Sequence, residues 1–275
     1  MKDDLVVFTD LDATLLDHNT YSFEPALPAL AFLKERGIPV ILVSSKTFAE
    51  MRFYQTELGL DGYPFVVENG SAIYTQPEYF RGLGHYKKEE GFWCYQLGRS
   101  FEELVQILDQ ISARYQYTIK GFHNTSESEI MERTRLNRNQ VKMACMRQYS
   151  VPVFYDHRAE EILRNEITNY DLAILFGGRF IHILGPIDKG EALKKIMGGY
   201  RNKYPDLDIQ SIALGDSLND FAMLRVADIP VLVQKYDGTY ESRENIPEVI
   251  KSPGIGPSGW NTTVIKIIKN RGNYE

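Results

Sequence analysis

The chain is 275 residues long, 43% hydrophobic and 25% charged, with 31 Lys+Arg against 37 Asp+Glu for a formal net charge of −6. That composition suits a folded chain large enough for one big domain or two moderate ones, and it disfavours nucleic acid, whose phosphates attract basic faces. Two cysteines without metal-ligand spacing, Cys94 and Cys145, argue against a disulfide framework or a zinc cluster, and no apolar run approaches the ~18 residues of a membrane span.

Residues 5–9 (LVVFT) are short, β-rich and flanked by charge, so they read as a strand buried on both faces. A helix follows over residues 25–36, with Leu27, Leu30, Ala31 and Leu33 at helical spacing and Gly37 as its stop. A second strand is expected at 38–43, a helix at 48–58 ending at Gly59, and a third strand at 65–67 running into Glu68-Asn69-Gly70. Strand, helix, strand, helix, strand implies right-handed crossovers and a parallel sheet. The texture changes after residue 82. Strands are expected at 92–96, 117–121, 151–155, 172–176 and 180–184, with helices at 101–115, 126–133, 137–146 and 159–169. The paired glycines after Phe176 suit a tight hairpin, which makes part of this insert antiparallel. Beyond Asp188 the α/β texture resumes, with a helix at 190–204, a strand at 211–214, a helix at 219–226 and a strand at 230–233. The domain division is therefore a core of residues 1–82 plus 187–275 and an inserted lid of residues 83–186. Glycines near 82–84 and 185–186 are the expected hinges. The opening residues lack a signal-peptide apolar region, which implies a cytoplasmic protein.

The strongest local signal is Asp10-Leu11-Asp12-Ala13-Thr14, directly after the first strand. In a parallel sheet ligands bind beyond the carboxyl ends of strands. Residues two apart on extended backbone point the same way, so Asp10 and Asp12 face one site. Carboxylates that close repel unless a cation lies between them or one holds a proton. Three later segments return to the same edge: Ser44 after the second strand, Lys189 at the re-entry into the α/β region, and Asp216 with Asn219 and Asp220 after the strand at 211–214. Each alone reads as a helix cap, a solvated lysine or a turn residue. Their coincidence at one sheet edge reads as a site.

The four segments, in order, resemble the motifs of the haloacid dehalogenase-like superfamily of aspartate-nucleophile phosphatases, and the insert resembles its larger α+β cap of C2 type. Further segments resemble the mannosyl-3-phosphoglycerate phosphatases: Val43-Ser44-Ser45-Lys46-Thr47 with Glu50-Met51, Glu68-Asn69-Gly70, Gly178-Arg179-Phe180-Ile181-His182 and Gly256-Pro257-Ser258-Gly259-Trp260. The implied fold is α/β, a Rossmann-like parallel core carrying an α+β cap. The resemblance implies that Asp10 is the nucleophile and Asp12 the acid and base. It implies Mg²⁺ on Asp10, the Asp12 carbonyl and Asp216, with Asp220 supporting through water. Ser44 and Lys189 would hold phosphate, with Asn219 orienting Lys189 or the phosphate. Lys46, Glu68, Arg179 and His182 would face the rest of the substrate. Ala13 stands where that family usually has Gly, and a right-handed backbone is expected there.

Two further segments carry expectations, the first a bland one. Arg133, Arg135, Arg138, Lys142 and Arg147 fit a solvated helix face, and residues 256–260 suit a Gly-rich loop near the site. The implied activity is Mg²⁺-dependent hydrolysis of mannosyl-3-phosphoglycerate to mannosylglycerate and phosphate through an aspartyl-phosphate. Alternatives are glucosyl-3-phosphoglycerate or another sugar phosphate as substrate, a phosphomutase, or a non-enzymatic phosphoaspartate or Mg²⁺-binding module. The expected partner is a small phosphorylated sugar or glycerate, not nucleic acid or membrane; nothing in the sequence sets an oligomeric state.

Overall fold

The computed structural model describes residues 4–80, 82–177, 180–243 and 245–272. Its elements run in chain order β1 (Leu5–Thr9), α1 (Leu27–Arg36), β2 (Val40–Val43), α2 (Phe48–Glu57), β3 (Phe65–Val67), β4 (Ala72–Thr75), β5 (Lys87–Glu89), β6 (Phe92–Gln96), α3 (Phe101–Tyr115), α4 (Glu127–Thr134), α5 (Arg138–Cys145), β7 (Ser150–Phe154), α6 (His157–Glu166), β8 (Ala173–Gly177), β9 (Phe180–Leu184), α7 (Lys189–Lys203), β10 (Gln210–Gly215), α8 (Phe221–Val226), β11 (Ile229–Gln234), β12 (Ile250–Ile255) and α9 (Gly256–Gly272). Among the described residues, no helix is long and apolar enough to cross a membrane.

Nine strands form the main sheet in the order β12-β11-β10-β1-β2-β3-β4-β6-β5. The six from β12 to β3 are parallel, and β4, β6 and β5 extend the sheet antiparallel. Every residue of β1 is buried because helices cover both faces. Its side chains divide by the strand period: Leu5 and Val7 join the apolar layer of α1, α2 and α9, while Val6 and Phe8 join that of α7 and α8. The parallel core is therefore as expected.

The second sheet is smaller, with β9 between β7 and β8, all antiparallel. Its Val151, Val153, Ile181 and Ile183 pack against Leu104, Leu108 and Ile111 of α3 and Ile162 and Leu163 of α6. One face of this sheet is thus closed by helices, and the alternate residues, His182 among them, point to the other face. That face meets the main domain, where β8 packs against the turn at residues 218–220.

Four expectations are corrected. First, β6 belongs to the main sheet, paired with β4, and not to the insert. The chain therefore leaves the core near Gly98, where Leu97 and Gly98 both donate to the Ser71 carbonyl, and Gly82 and Gly84 lie within the core connection between β4 and β5. Second, the expected strand at 117–121 is absent. Phe154 donates to the Lys120 carbonyl and Gly121 bridges Val153, but there the ladder stops. In the antiparallel register set by Gly121 and Val153, residues 117–119 would have to pair with residues 155–157, but β7 ends at Phe154 and Asp156 already caps α6. Third, residues 256–260 are the first turn of α9, not a loop. Pro257 suits a helix start, and Gly259 packs on β12 so closely that a Cβ there would lie 1.8 Å from the Gly254 oxygen. Fourth, Ala13 has φ +59°, left-handed backbone. The tight turn after β1 closes with Thr14 and Leu16 both donating to the Leu11 carbonyl. That geometry costs an alanine roughly 1–2 kcal/mol, which the surrounding fold absorbs.

Candidate active site

The carboxyl ends of β1, β2 and β10 converge on one spot. Asp10 follows β1 and is held by its backbone N–H on the Leu214 oxygen of β10. Asp216 follows β10, and Thr14 Oγ1 donates to its Oδ1 at 3.3 Å. Lys189 opens α7, whose N-terminus is capped by Asp188 accepting from the Gly190 and Glu191 amides. The cap directs the lysine inward. Its Nζ donates to Asp10 Oδ1 at 2.6 Å and to Asp220 Oδ1 at 2.7 Å, with Lys189 and Asp220 fully buried. The other Asp220 oxygen accepts from the Asp216 and Ser217 amides and from Ser217 Oγ. Its carboxylate is thus saturated with donors, which suits support of a cation through water better than direct ligation.

Asp10, Asp216 and Asp220 each offer an oxygen within 4.8 Å of the others. One ammonium cannot neutralise three buried carboxylates. Burial, opposed by Lys189 and reinforced by Asp220, Asp12 and Asp216, pushes the Asp10 carboxyl well above the usual carboxylate range. Burial and the neighbouring Asp220 push Asp216 up to about 7. Lys189 moves upward, since its two carboxylates outweigh the cost of burial. A buried all-oxygen set short of positive charge is suited to a hard divalent cation.

Around this centre stand the other expected residues. Ser44 is buried at the end of β2, its N–H on the Val66 oxygen, and its hydroxyl accepts from the Lys46 amide at 3.4 Å. Lys46 Nζ lies 2.9 Å from Asp12 Oδ1 and 4.0 Å from Glu50 Oε1, between the Tyr21 and Tyr54 rings. Those two carboxylates outweigh burial and raise its pKa. Asn219 does not reach Lys189: its Nδ2 donates to Asn69 Oδ1 at 3.1 Å and its Oδ1 accepts from Ser217 Oγ. Arg179 lies outside the described residues. His182 is buried on the inward face of β9, and its Nδ1 has no hydrogen-bond partner among the described residues. Burial, then Arg147 and Lys189, lower it to about 3, so the ring is neutral.

Two residues take other places than expected. Glu68 is completely buried, and instead of facing open space its carboxylate accepts from the Gln148 and Tyr149 amides and from Ser150 Oγ, across the joint between core and insert. Arg147 is no solvated helix residue. Its side chain is 7% exposed and donates to the Ser45 oxygen at 2.6 Å and to the Ala144 oxygen. Arg133, Arg135, Arg138 and Lys142 are exposed, as the helix-face reading requires.

Residues 7–252 match the haloacid dehalogenase-like hydrolase family. The chain belongs to that family. It is 37% identical over 277 residues to a glucosyl-3-phosphoglycerate/mannosyl-3-phosphoglycerate phosphatase of Methanococcoides burtonii, covering 98% of each chain. It is 34% identical over 244 residues to a mannosyl-3-phosphoglycerate phosphatase of Pyrococcus furiosus, covering 89% of this chain and 96% of the relative. A solved haloacid dehalogenase-like hydrolase from Bacteroides thetaiotaomicron shares the fold, with a TM-score of 0.68 at 16% identity and coverage of 95% and 98%.

Within this haloacid dehalogenase-like hydrolase, two residues that the motif segments contain, but to which no role was given, take supporting places. Trp260 is buried and donates from Nε1 to Thr9 Oγ1 at 3.0 Å, while Thr9 Oγ1 donates to the Asp10 oxygen. The C-terminal helix thereby braces the backbone of Asp10. Asn69 joins Asn219 through a contact 150 positions apart in sequence; the segment Glu68-Asn69-Gly70 is singled out by its place at a strand end and by the resemblance, but neither signal gives the pairing.

Proposed function

We propose that this chain is a cytoplasmic, Mg²⁺-dependent phosphatase acting on mannosyl-3-phosphoglycerate, with glucosyl-3-phosphoglycerate as the alternative substrate. The observation that carries this reading is Lys189 bridging Asp10 and Asp220, with Asp216 completing the acidic centre, in a chain whose relatives bear those substrates in their names.

An oxygen of the Asp10 carboxylate attacks phosphorus as the bond to the glycerate oxygen breaks, giving an aspartyl-phosphate. Asp12 delivers a proton to the departing oxygen, then takes one from the water that attacks the phosphoryl group and frees Asp10. Lys189 and Ser44 hold phosphoryl oxygens, and Asn219 shapes the same wall. Asp10, the Asp12 carbonyl and Asp216 would hold Mg²⁺, which would supply positive charge to offset that gathering on the phosphoryl group. Lys46 keeps Asp12 turned toward the cleft and has charge to share with a substrate carboxylate. The insert, from Gly98 to Gly185, acts as the lid that excludes water and reads the sugar, with His182 and Arg179 as its reading residues. Neutral His182 offers a hydrogen bond without adding charge.

The test is phosphate release with Mg²⁺ from mannosyl-3-phosphoglycerate, glucosyl-3-phosphoglycerate, hexose phosphates and 3-phosphoglycerate, repeated after chelation. Preference for the two glycosyl compounds, lost with chelator and restored by Mg²⁺, is the expected result. Equal, slow turnover of every compound would remove the substrate assignment. Undiminished turnover in chelator would remove the cation's role.

A further inference from the structure

The mechanism leaves a buried donor beside the site unused. Asn69 is 1% exposed, and its Nδ2 has no hydrogen-bond partner among the described residues. A buried amide donor without an acceptor is rare in folded proteins and unfavourable. Its surroundings are the phosphate wall itself. The Asn69 amide donates to the Ser44 carbonyl at 2.9 Å, and its Oδ1 accepts from Asn219. The next residue, Gly70, lies on the backbone of Asp188, where a Cβ would come within 2.1 Å of the Asp188 oxygen and 2.9 Å of the Lys189 nitrogen. Asn69 is therefore held against Ser44 and Asn219, one residue from the backbone of Asp188 and Lys189.

The backbone points the same way. Glu68, Asn69 and Gly70 have φ of +48°, +60° and +102°, three successive left-handed residues. Strain of that kind persists only where the surroundings hold it, and it gathers at ligand clamps. Glycine would meet the conformation at Asn69 with less strain, so the side chain itself has a use.

We infer that Asn69 is a further phosphoryl-binding residue, whose Nδ2 donates to a phosphoryl oxygen while its Oδ1 keeps Asn219 in place. The inference rests on the phosphatase reading above and adds a donor to its wall. An amide suits the position: a carboxylate of the same shape would set another negative charge against both the acidic centre and the phosphate.

The probe is inorganic phosphate, titrated calorimetrically into the Mg²⁺-loaded full chain. Asn69→Gly keeps the left-handed backbone and removes the donor; Asn69→Asp keeps the shape and turns the donor into an anionic acceptor. Phosphate should bind about tenfold more weakly to the first and at least about a hundredfold more weakly to the second. Mg²⁺ affinity of Asn69→Gly without phosphate should stay within about twofold of the parent, which a merely structural role would not predict. Phosphate affinity of both variants within about twofold of the parent overturns the inference and leaves the phosphatase reading standing. A parent chain that neither binds phosphate nor releases it from any phosphomonoester overturns both. In ¹⁵N-labelled parent protein, the Asn69 side-chain amide pair, assigned by its loss in Asn69→Gly, should move on adding phosphate; an unmoved pair counts against the inference regardless of how the Asp variant folds.

Discussion

Two clusters of buried charge flank the cleft, and they are composed differently. At the joint between core and insert, the Glu68 carboxylate accepts three hydrogen bonds from residues 148–150, and the Arg147 charge stands close by. Burial still raises Glu68, but every oxygen has a donor. At the catalytic edge, Lys189 pairs with Asp10 and Asp220, and only it and the more distant charge of Lys235 act on Asp216 among the described residues, with Asp12 beside them. The first cluster is complete in itself and holds two parts of the chain together. The second is short of positive charge and is completed only by what binds. Saturated polar groups give rigidity, and unsaturated ones give affinity for a ligand.

That contrast can be broken most forcefully at Asp10. Asp10→Asn should lower phosphate release at least about 10³-fold. Its melting temperature without divalent cation should not fall, since the change removes one charge from a repelling set; appreciable turnover by the variant would take the nucleophile's role away. At the joint, the effect should appear in stability. Glu68→Ala leaves the Gln148 and Tyr149 amides and Ser150 Oγ without their acceptor, a loss of about 3 kcal/mol in urea unfolding. A loss below about 1 kcal/mol would mean the joint is not held by that carboxylate.

Ala13→Gly should act more gently, raising stability by up to about 1 kcal/mol through relief of the +59° backbone. A destabilised variant would mean that the alanine methyl packs better than its strain costs. His182 sharpens the comparison last, because it borders both clusters. Its folded pKa is about 3 against the usual 6.5, so the unfolded chain takes up the proton first. It therefore lowers stability as pH falls from about 6.5 toward 3, and has no such effect above 6.5. His182→Gln should flatten this acid limb in pH-dependent unfolding while leaving stability at pH 8 little changed. An unchanged acid limb would show that the ring is already hydrated.

The parallel core was legible because its strands are apolar on both sides, and a run such as LVVFT has few other uses. The acid and lysine motifs were legible because strand ends of a parallel sheet share one edge, so position along the chain translates into position in space. Other features depend on partners far away. The strand expected at 117–121 does not form because its would-be partner β7 ends at Phe154 and Asp156 turns that chain into α6. Trp260 reaches Thr9 across 251 positions, and Glu68 meets Ser150 across 82. Arg147 looks like any residue of a charged helix face until the fold sets it against the Ser45 carbonyl. The left-handed backbone at Ala13 and at Glu68-Asn69-Gly70 is likewise imposed from outside, because no local preference of alanine or glutamate favours it. Hydrophobic period and strand-end chemistry are local properties that the sequence carries by itself. Which buried groups are paired and which are left open is settled only when distant segments compete for the same donors and acceptors, and here that competition separates the joint from the site.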